Sequence, residues 1–376
     1  MHSIIISIVR KEFRQIRRDK RILGMLLFIP ALMLLMFGYA LNFDVKHTSL
    51  AVYDEDRSET SRVFARQFWN SEYFDLKFYL ESKAEMNELL DGEKVRVILV
   101  IPSTFSRDLA RGRETSVQFL IDGANSFSAS TVLGYVNGIV QQYSLNVVTS
   151  AFLRAGGSEI SVPIDFRPRV WYNPELRSAK YLVPGLIAFI LMVVAVVSTA
   201  LSVVRERELG TMEQLMVSPI KPMEIILGKT IPYTLISLAA AGSILVVGYL
   251  LFDVEVKGSF LLLFLVTLIF LLGSLGFGLL ISTVAETQQV AFMIAALSTM
   301  LPTFILSGFI FPIRNMPAAI QAITYLIPAR YFLTALRGII LKGVGINAFW
   351  DQLLFLLAYA ALTISVSSLR LRKLLR

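Results

Sequence analysis

The run ILGMLLFIPALMLLMFGYAL, Ile22 to Leu41, contains no charged side chain over its twenty residues. At about 1.5 Å of rise per residue, a helix of that length reaches about 30 Å, the thickness of a bilayer's hydrocarbon core. Arg18, Lys20 and Arg21 flank it on the amino side and no small-residue cleavage site follows, so it reads as a signal anchor that stays in the membrane. Five further runs share its character, at 180–204, 230–252, 259–281, 290–311 and 351–369. A chain of 376 residues that is 55% hydrophobic and only 17% charged is too apolar for a water-soluble globule, and lipid must be its main solvent. The fold expected is a membrane protein with an all-α transmembrane domain of six helices.

The charges set the orientation. Of the basic residues behind the net charge of +8, seven precede the first run, four lie between Arg205 and Lys229, and four lie in the tail 370–376. With an even number of spans, the positive-inside bias places both termini and the 205–229 loop in the cytoplasm. The basic ends therefore read as topology anchors for the lipid bilayer, with no nucleic acid as partner. Cysteine is absent, which excludes a disulfide framework and a thiolate metal site and favours a bacterial inner membrane.

Residues 1–21 place Ile4, Ile5, Ile8, Phe13 and Ile16 along one helical stripe, away from Arg10, Arg14, Arg17 and Arg18, as in a cytoplasmic amphipathic helix lying in the membrane interface. Residues 42–179 differ altogether, carrying 15 Lys/Arg and 18 Asp/Glu. That stretch reads as a large external, periplasmic α/β domain inserted between the first and second spans. Strands are expected at 48–54, 74–80, 95–101 and 116–122, with helices at 59–69, 83–90 and 104–111 between them. Asn125 or Ser126 can then cap a long helix to about Arg154, and a return segment, 164–172, leads to the second span.

The segment 312–350 is apolar but interrupted by Pro312, Pro317 and Pro328. Its pieces are too short to cross a bilayer, so they read as external re-entrant helices in the outer leaflet, with Arg330 and Arg337 as interfacial anchors. Gly273, Gly276 and Gly278 in the fourth run permit close helix contacts, read as packing within the chain, while Ala295 and Ala296 in the fifth offer a similar surface.

Catalytic chemistry has no candidate. No G-x-x-x-x-G-K-[ST] stretch occurs, and His2 and His47 are the only histidines, so neither a nucleotide cradle, a histidine metal site nor a hydrolase triad is expected. The apolar cores of the six runs hold no Asp, Glu, Lys, Arg or His, which disfavours ion-coupled transport.

The loop RERELGTMEQLMVSPIKPMEIILGK, Arg205 to Lys229, carries the informative pattern. Gly210 can end the emerging helix, and Thr211 with Gln214 fits a capping box opening a new one. Pro219 breaks that helix and Pro222 starts the next. Leu209, Met212, Leu215 and Met216 would present an apolar side to a partner's groove, with Glu206, Glu208 and Glu213 facing a basic rim.

Two stretches carry a family resemblance. Glu208, Gly210, Thr211, Glu213, Leu215 and Pro219 form a pattern that resembles the loop after the second span of ABC type-2 exporter permeases. LSGFIFPIRNMPAAIQAITYLIPARYFLTALRGIILKG, Leu306 to Gly343, resembles the external segment of the YbhS, YbhR and YhhJ branch of that family. The resemblance implies a transporter subunit that binds no cofactor itself, ATP and magnesium residing on a separate ATP-binding-cassette ATPase subunit that contacts the Glu206–Pro219 loop. It also implies a second permease subunit, as homodimer or heterodimer, often a periplasmic membrane-fusion adaptor, and export of hydrophobic or drug-like compounds, with cations also proposed. An ion-coupled secondary transporter and a membrane-anchored receptor or scaffold are the alternatives.

Overall fold

The computed structural model describes residues 2–40, 46–154, 171–173, 177–211 and 222–374. Two compact units divide the chain, one of Met1–Asn42 with Arg169–Arg376 and the other of Phe43–Pro168, so the second interrupts the first in sequence. The chain opens with helices α1 (His2–Arg18) and α2 (Lys20–Ala40). Arg10, Arg14, Arg17 and Arg18 of α1 are exposed; of the expected apolar stripe, Ile16 is buried and Ile4, Ile5 and Ile8 are half-buried, while Phe13 is exposed. The first apolar run forms α2, a helix of 21 residues whose stretch Leu26–Ala40 is apolar throughout.

The second unit is a four-stranded mixed sheet with helices on both faces. Its elements run β1 (Thr48–Asp54), α3 (Glu59–Trp69), β2 (Phe74–Tyr79), α4 (Ala84–Asp91), β3 (Val97–Ile101), α5 (Phe105–Ala110), β4 (Gln118–Ile121) and α6 (Ser126–Arg154). Each strand lies within two residues of its expected range. The strand order is β2-β1-β3-β4, with β1 parallel to β2 and β3, and β4 antiparallel to β3. The strand period of two divides the core: Leu50, Val52, Val97 and Leu99 meet Phe64, Phe68 and Val132 on one face, while Ala51 and Ile98 meet Leu80, Met86 and Leu89 on the other. Local caps fix the helix starts. Ser58 Oγ accepts the Ser61 amide at 3.0 Å, and Asn125 Oδ1 accepts the Ser128 amide at 3.1 Å to open α6. Near the end of β1, Lys83 Nζ lies 2.6 Å from Glu55 Oε1 and holds that carboxyl below the usual carboxylate range. The expected return segment lies outside the described residues up to Val170.

In the first unit the chain continues as α7 (Ser178–Glu208), α8 (Pro222–Phe252), α9 (Phe260–Ser282), α10 (Gln288–Leu306), α11 (Ala318–Thr324), α12 (Pro328–Arg337) and α13 (Trp350–Leu374). Five of these, α7, α8, α9, α10 and α13, are long and apolar enough to cross a membrane. The central helix is α7, which packs against α2, α8, α9, α10 and α12.

Helix α9 fits between α7 and α13 because its glycines remove side chains where helices must approach. A Cβ at Gly276 would lie 2.6 Å from Thr363 Oγ1, and one at Gly278 would lie 2.6 Å from the Val196 carbonyl oxygen. The closeness lets Thr363 and Ser367 donate hydroxyl hydrogens to the Gly273 and Gly276 carbonyls, at 3.2 and 2.8 Å. These glycines therefore serve packing within the chain, as expected. On α10, Ala291, Ala295, Thr299 and Thr303 are buried and Ala296 is half-buried, while Phe292, Met293, Leu297 and Leu301 are exposed.

Candidate functional site

Helix α7 runs four residues past 204, and α8 begins at Pro222, eight residues before the expected start of its span. The link between them is thus 209–221 rather than 205–229. Leu209 caps α7, and Gly210 follows at φ 71°, a left-handed conformation that glycine adopts without a Cβ clash and that ends the helix as expected. Thr211 Oγ1 donates to the Glu206 carbonyl at 3.1 Å, so its hydroxyl closes α7. Met212, Glu213, Gln214, Leu215, Met216 and Pro219 lie outside the described residues. Pro222 sits at the first turn of α8, where its missing amide hydrogen has no helical partner to lose.

The main departure from the sequence reading is a buried charge cluster. Lys229, two turns into α8, is 1% exposed. Its Nζ donates to Glu12 Oε1 at 3.0 Å, sits 2.8 Å from Glu206 Oε2, and lies 3.3 Å from Ser202 Oγ. Glu12 and Glu206 are also buried, and the half-exposed Lys11 pairs with the other Glu206 oxygen. Two carboxylates face two ammonium groups, so the charges balance. Such balance is required of a cluster held out of water, because a single unpaired ion there costs several kcal/mol. Alongside it, a Cβ on Gly228 would fall 2.6 Å from Ile8 Cγ2, so only glycine lets α1 lie this close to α8.

Glu206 is therefore spent inside the protein, not offered to a partner's rim as expected. Lys229, read as a loop residue, and Glu12, hidden in a basic segment, were both missed. One signal existed: Glu12 lies four residues after Ile8 and four before Ile16, on the apolar stripe itself, where an unpaired acid has no place.

The end of α7 is tied a second time. Glu208 accepts the Gln288 amide at 2.7 Å and the Gln288 side-chain amide, which caps α10, while Arg207 Nη1 donates to the Ala285 carbonyl at 2.9 Å. Arg205 lies 3.6 Å from Asp19, which holds the α1–α2 corner to the same turn. Leu209 is 65% exposed and points away from these contacts. Three helix ends, α1, α7 and α10, and the first turns of α8 thus meet where the 209–221 link begins.

The proline-rich segment forms a second assembly. Pro312 precedes a 3-10 turn at Ile313–Asn315, Pro317 precedes α11, and Pro328 opens α12. Arg330 hydrogen-bonds the Thr324 hydroxyl and stands 4.0 Å over the Tyr325 ring. Arg337 donates to the carbonyls of Gly308 at 3.0 Å, Phe309 at 3.1 Å and Tyr181 at 3.2 Å, and stacks 3.9 Å over the Tyr181 ring. The planar guanidinium can address several carbonyls at once, and here it pins α12 to the start of α7 and to the turn after α10. Its charge is directed at protein carbonyls, which corrects the expectation of an interfacial anchor. No group of three or more His, Cys, Asp or Glu placed to hold a metal occurs among the described residues.

Comparison with known proteins gives these helix ends a context. A family model described as ABC-2 family transporter protein matches residues 20–369. The chain is 35% identical over 364 residues to the probable multidrug ABC transporter permease YbhS of Escherichia coli, covering 96% of this chain and 95% of that protein. It is 32% identical over 367 residues to the probable multidrug ABC transporter permease YbhR of the same organism, with 98% of each covered. The inner membrane transport permease YhhJ, also of Escherichia coli, is 27% identical over 96% of this chain and 95% of its own length.

Proposed function

Because this chain belongs to the ABC-2 family of transporter proteins, a family of multi-pass membrane permeases that work with an ATPase subunit, we propose that it is the membrane half of an ATP-driven exporter of hydrophobic or drug-like compounds. Export and the class of compound are inferred from relatives described as multidrug permeases that match nearly the full chain. The proposed arrangement has six spans, counting α2 as the first, with both termini and the 209–221 link in the cytoplasm and the 43–168 unit outside. A second permease subunit, identical or sister, would complete the path, and the uncovered apolar face of α10 is the surface best suited to meet it. ATP and magnesium would sit on the ATPase subunit, and a periplasmic adaptor would dock on the outer unit.

The observation that carries the coupling role is the convergence of α1, α7, α8 and α10 at the 209–221 link. A push on that link reaches α1 through Lys229 and Glu12, and α10 through Glu208 and Gln288. Closure of the ATPase pair would tilt these helices together. The test is vanadate-sensitive ATPase activity of the purified chain with its ATPase subunit, comparing wild type with Glu213→Ala and Gly210→Pro. Loss of stimulation or assembly in the variants is expected, and variants that match wild type refute the coupling role.

One observation favours a second reading. A buried lysine between two carboxylates is a grouping that proton-coupled carriers also use. Transport that stops when a protonophore is added, with ATP still supplied, would select that reading over the ATP-driven one.

A further inference from the structure

A groove of about 480 Å³ opens beside the charge cluster, between α1, α2, α7, α8 and α10. Its walls are apolar along most of their length, with Leu26, Ile29 and Met33 from α2 facing Val194, Val197 and Leu201 from α7. Its volume falls within the range of roughly 300–1,000 Å³ typical of sites for small ligands. At one end the wall turns polar with Gln15 and Arg205, and these two residues also line a neighbouring basic basin. The basin is further lined by Lys11, Arg14, Arg18 and Lys20, with Asp19 as its acid. Lys11 is taken up by Glu206 and Arg205 by Asp19, which leaves the exposed Arg14, Arg18 and Lys20 as the cations facing the opening.

A ligand that satisfies both halves must carry an anionic head and a hydrocarbon tail on one molecule. Clustered cations on an amphipathic helix beside a membrane helix attract phosphate-bearing lipid heads, and an apolar slot left unfilled forfeits packing contacts along its whole wall. We propose that the groove and basin form a binding site for one anionic phospholipid, its phosphate among Arg14, Arg18 and Lys20 and one acyl chain between α2 and α7. Free phosphate shares the head chemistry but leaves the groove unfilled. The site is separate from the 209–221 link, and its occupancy is read without an ATPase.

The test uses the full chain in detergent, with bound lipid counted by native mass spectrometry during titration with phosphatidylglycerol or phosphatidylcholine. One phosphatidylglycerol per chain is expected, held at least about tenfold more tightly than phosphatidylcholine. Arg14→Gln with Arg18→Gln, both on an exposed helix face, should remove that preference and leave phosphatidylcholine binding unchanged. Val197→Trp should weaken both lipids by filling the groove, and Ile29→Trp provides a second filling variant at a partly exposed position should the first not fold. Equal affinity for the two lipids, or an unchanged preference in the double arginine variant, overturns the proposal. Displacement of phosphatidylglycerol by inorganic phosphate, or unchanged lipid binding in a folded groove variant, overturns the lipid assignment in favour of a site for the free anion.

Discussion

Replacing Lys229 with methionine keeps the length of the side chain and deletes its charge, leaving Glu12 and Glu206 buried with only Lys11 to balance them. Lys11 is half-exposed, with a side chain 47% accessible; it pairs with Glu206 and lies 3.8 Å from Glu12, so two buried carboxylates are left sharing one cation and one negative charge is uncompensated. Removing one partner of a buried ion pair costs about 3–5 kcal/mol. The chain can escape by protonating one carboxylate. At pH 7 a carboxyl of ordinary acidity takes up a proton at a cost of about 4 kcal/mol, so the escape does not lower the expected loss much. Lys229→Met should therefore lose roughly 3–4 kcal/mol of stability. The loss should be felt first at α1, whose amides should exchange with solvent faster because Glu12 no longer holds the helix to α8. Replacing Glu12, Glu206 and Lys229 together with methionine should recover most of the loss, since a buried charge cluster exchanged for apolar side chains of similar volume is often neutral. The assay is denaturation of the detergent-solubilised protein, with hydrogen exchange read over residues 2–18. The reasoning fails if Lys229→Met stays within about 1 kcal/mol of wild type, which would mean that water reaches the cluster, or if the triple variant is no better than the single one, which would make the loss one of packing rather than charge.

Gly278→Ala drives a methyl group to 2.6 Å from the Val196 carbonyl, a backbone atom that cannot turn aside, and should cost about 1–3 kcal/mol in the same denaturation assay, more than Gly242→Ala, which meets open space. Arg337→Lys keeps the charge but cannot reach three carbonyls and a ring together; a loss of about 2 kcal/mol is expected, with faster exchange at the turn 308–309. In the 43–168 unit, the Glu55 carboxyl is held below the usual range by Lys83, so the pair stabilises the fold above the unfolded carboxyl value near 4.3 and loses that contribution as pH falls through the folded value. Lys83→Met should move the Glu55 titration upward in a carboxyl NMR experiment, and an unmoved titration would show that Lys83 is not the cause.

What could be read from residues alone follows a physical divide. The strands and helices of 46–154 are legible because each rests on local rules: the short, continuous, β-branched apolar run VILVI at 97–101, the Ser58 cap, and Asn125 opening α6. The apolar helices were legible because lipid demands one long run per crossing. The ends of those helices were not. Lys229 reads as a loop residue because a charge at the edge of an apolar run ordinarily reaches back to water. Its burial depends on α1, more than two hundred residues earlier, supplying Glu12 and the close face at Ile8. Arg337 was misjudged for the same reason, since the carbonyls it binds belong to α7 and to the turn after α10. The role of Gly210 is visible because a left-handed residue at a helix end is a local event, whereas the bond from the Thr211 hydroxyl back to the Glu206 carbonyl is not signalled by the pattern that follows it.

The short helix α12 has a mechanical consequence. Its Phe332 ring stacks on Phe270 of α9 at 4.0 Å, and Tyr331 stacks on Phe355 of α13 at 4.8 Å. Arg337 fastens it to α7, and the π-helical turn that continues it, Gly338–Lys342, accepts the Lys257 amide at the Ile340 carbonyl at 3.1 Å. A body fastened to three separate supports keeps no rotation of its own. α12 is thus a keystone and not a flap: it cannot swing on a hinge without parting two ring stacks and a guanidinium fork at once. Whatever displacement this protein makes, α7, α9 and α13 must travel with α12 as one block. The turn after α10 belongs to the same block, because Arg337 holds the Gly308 and Phe309 carbonyls as well.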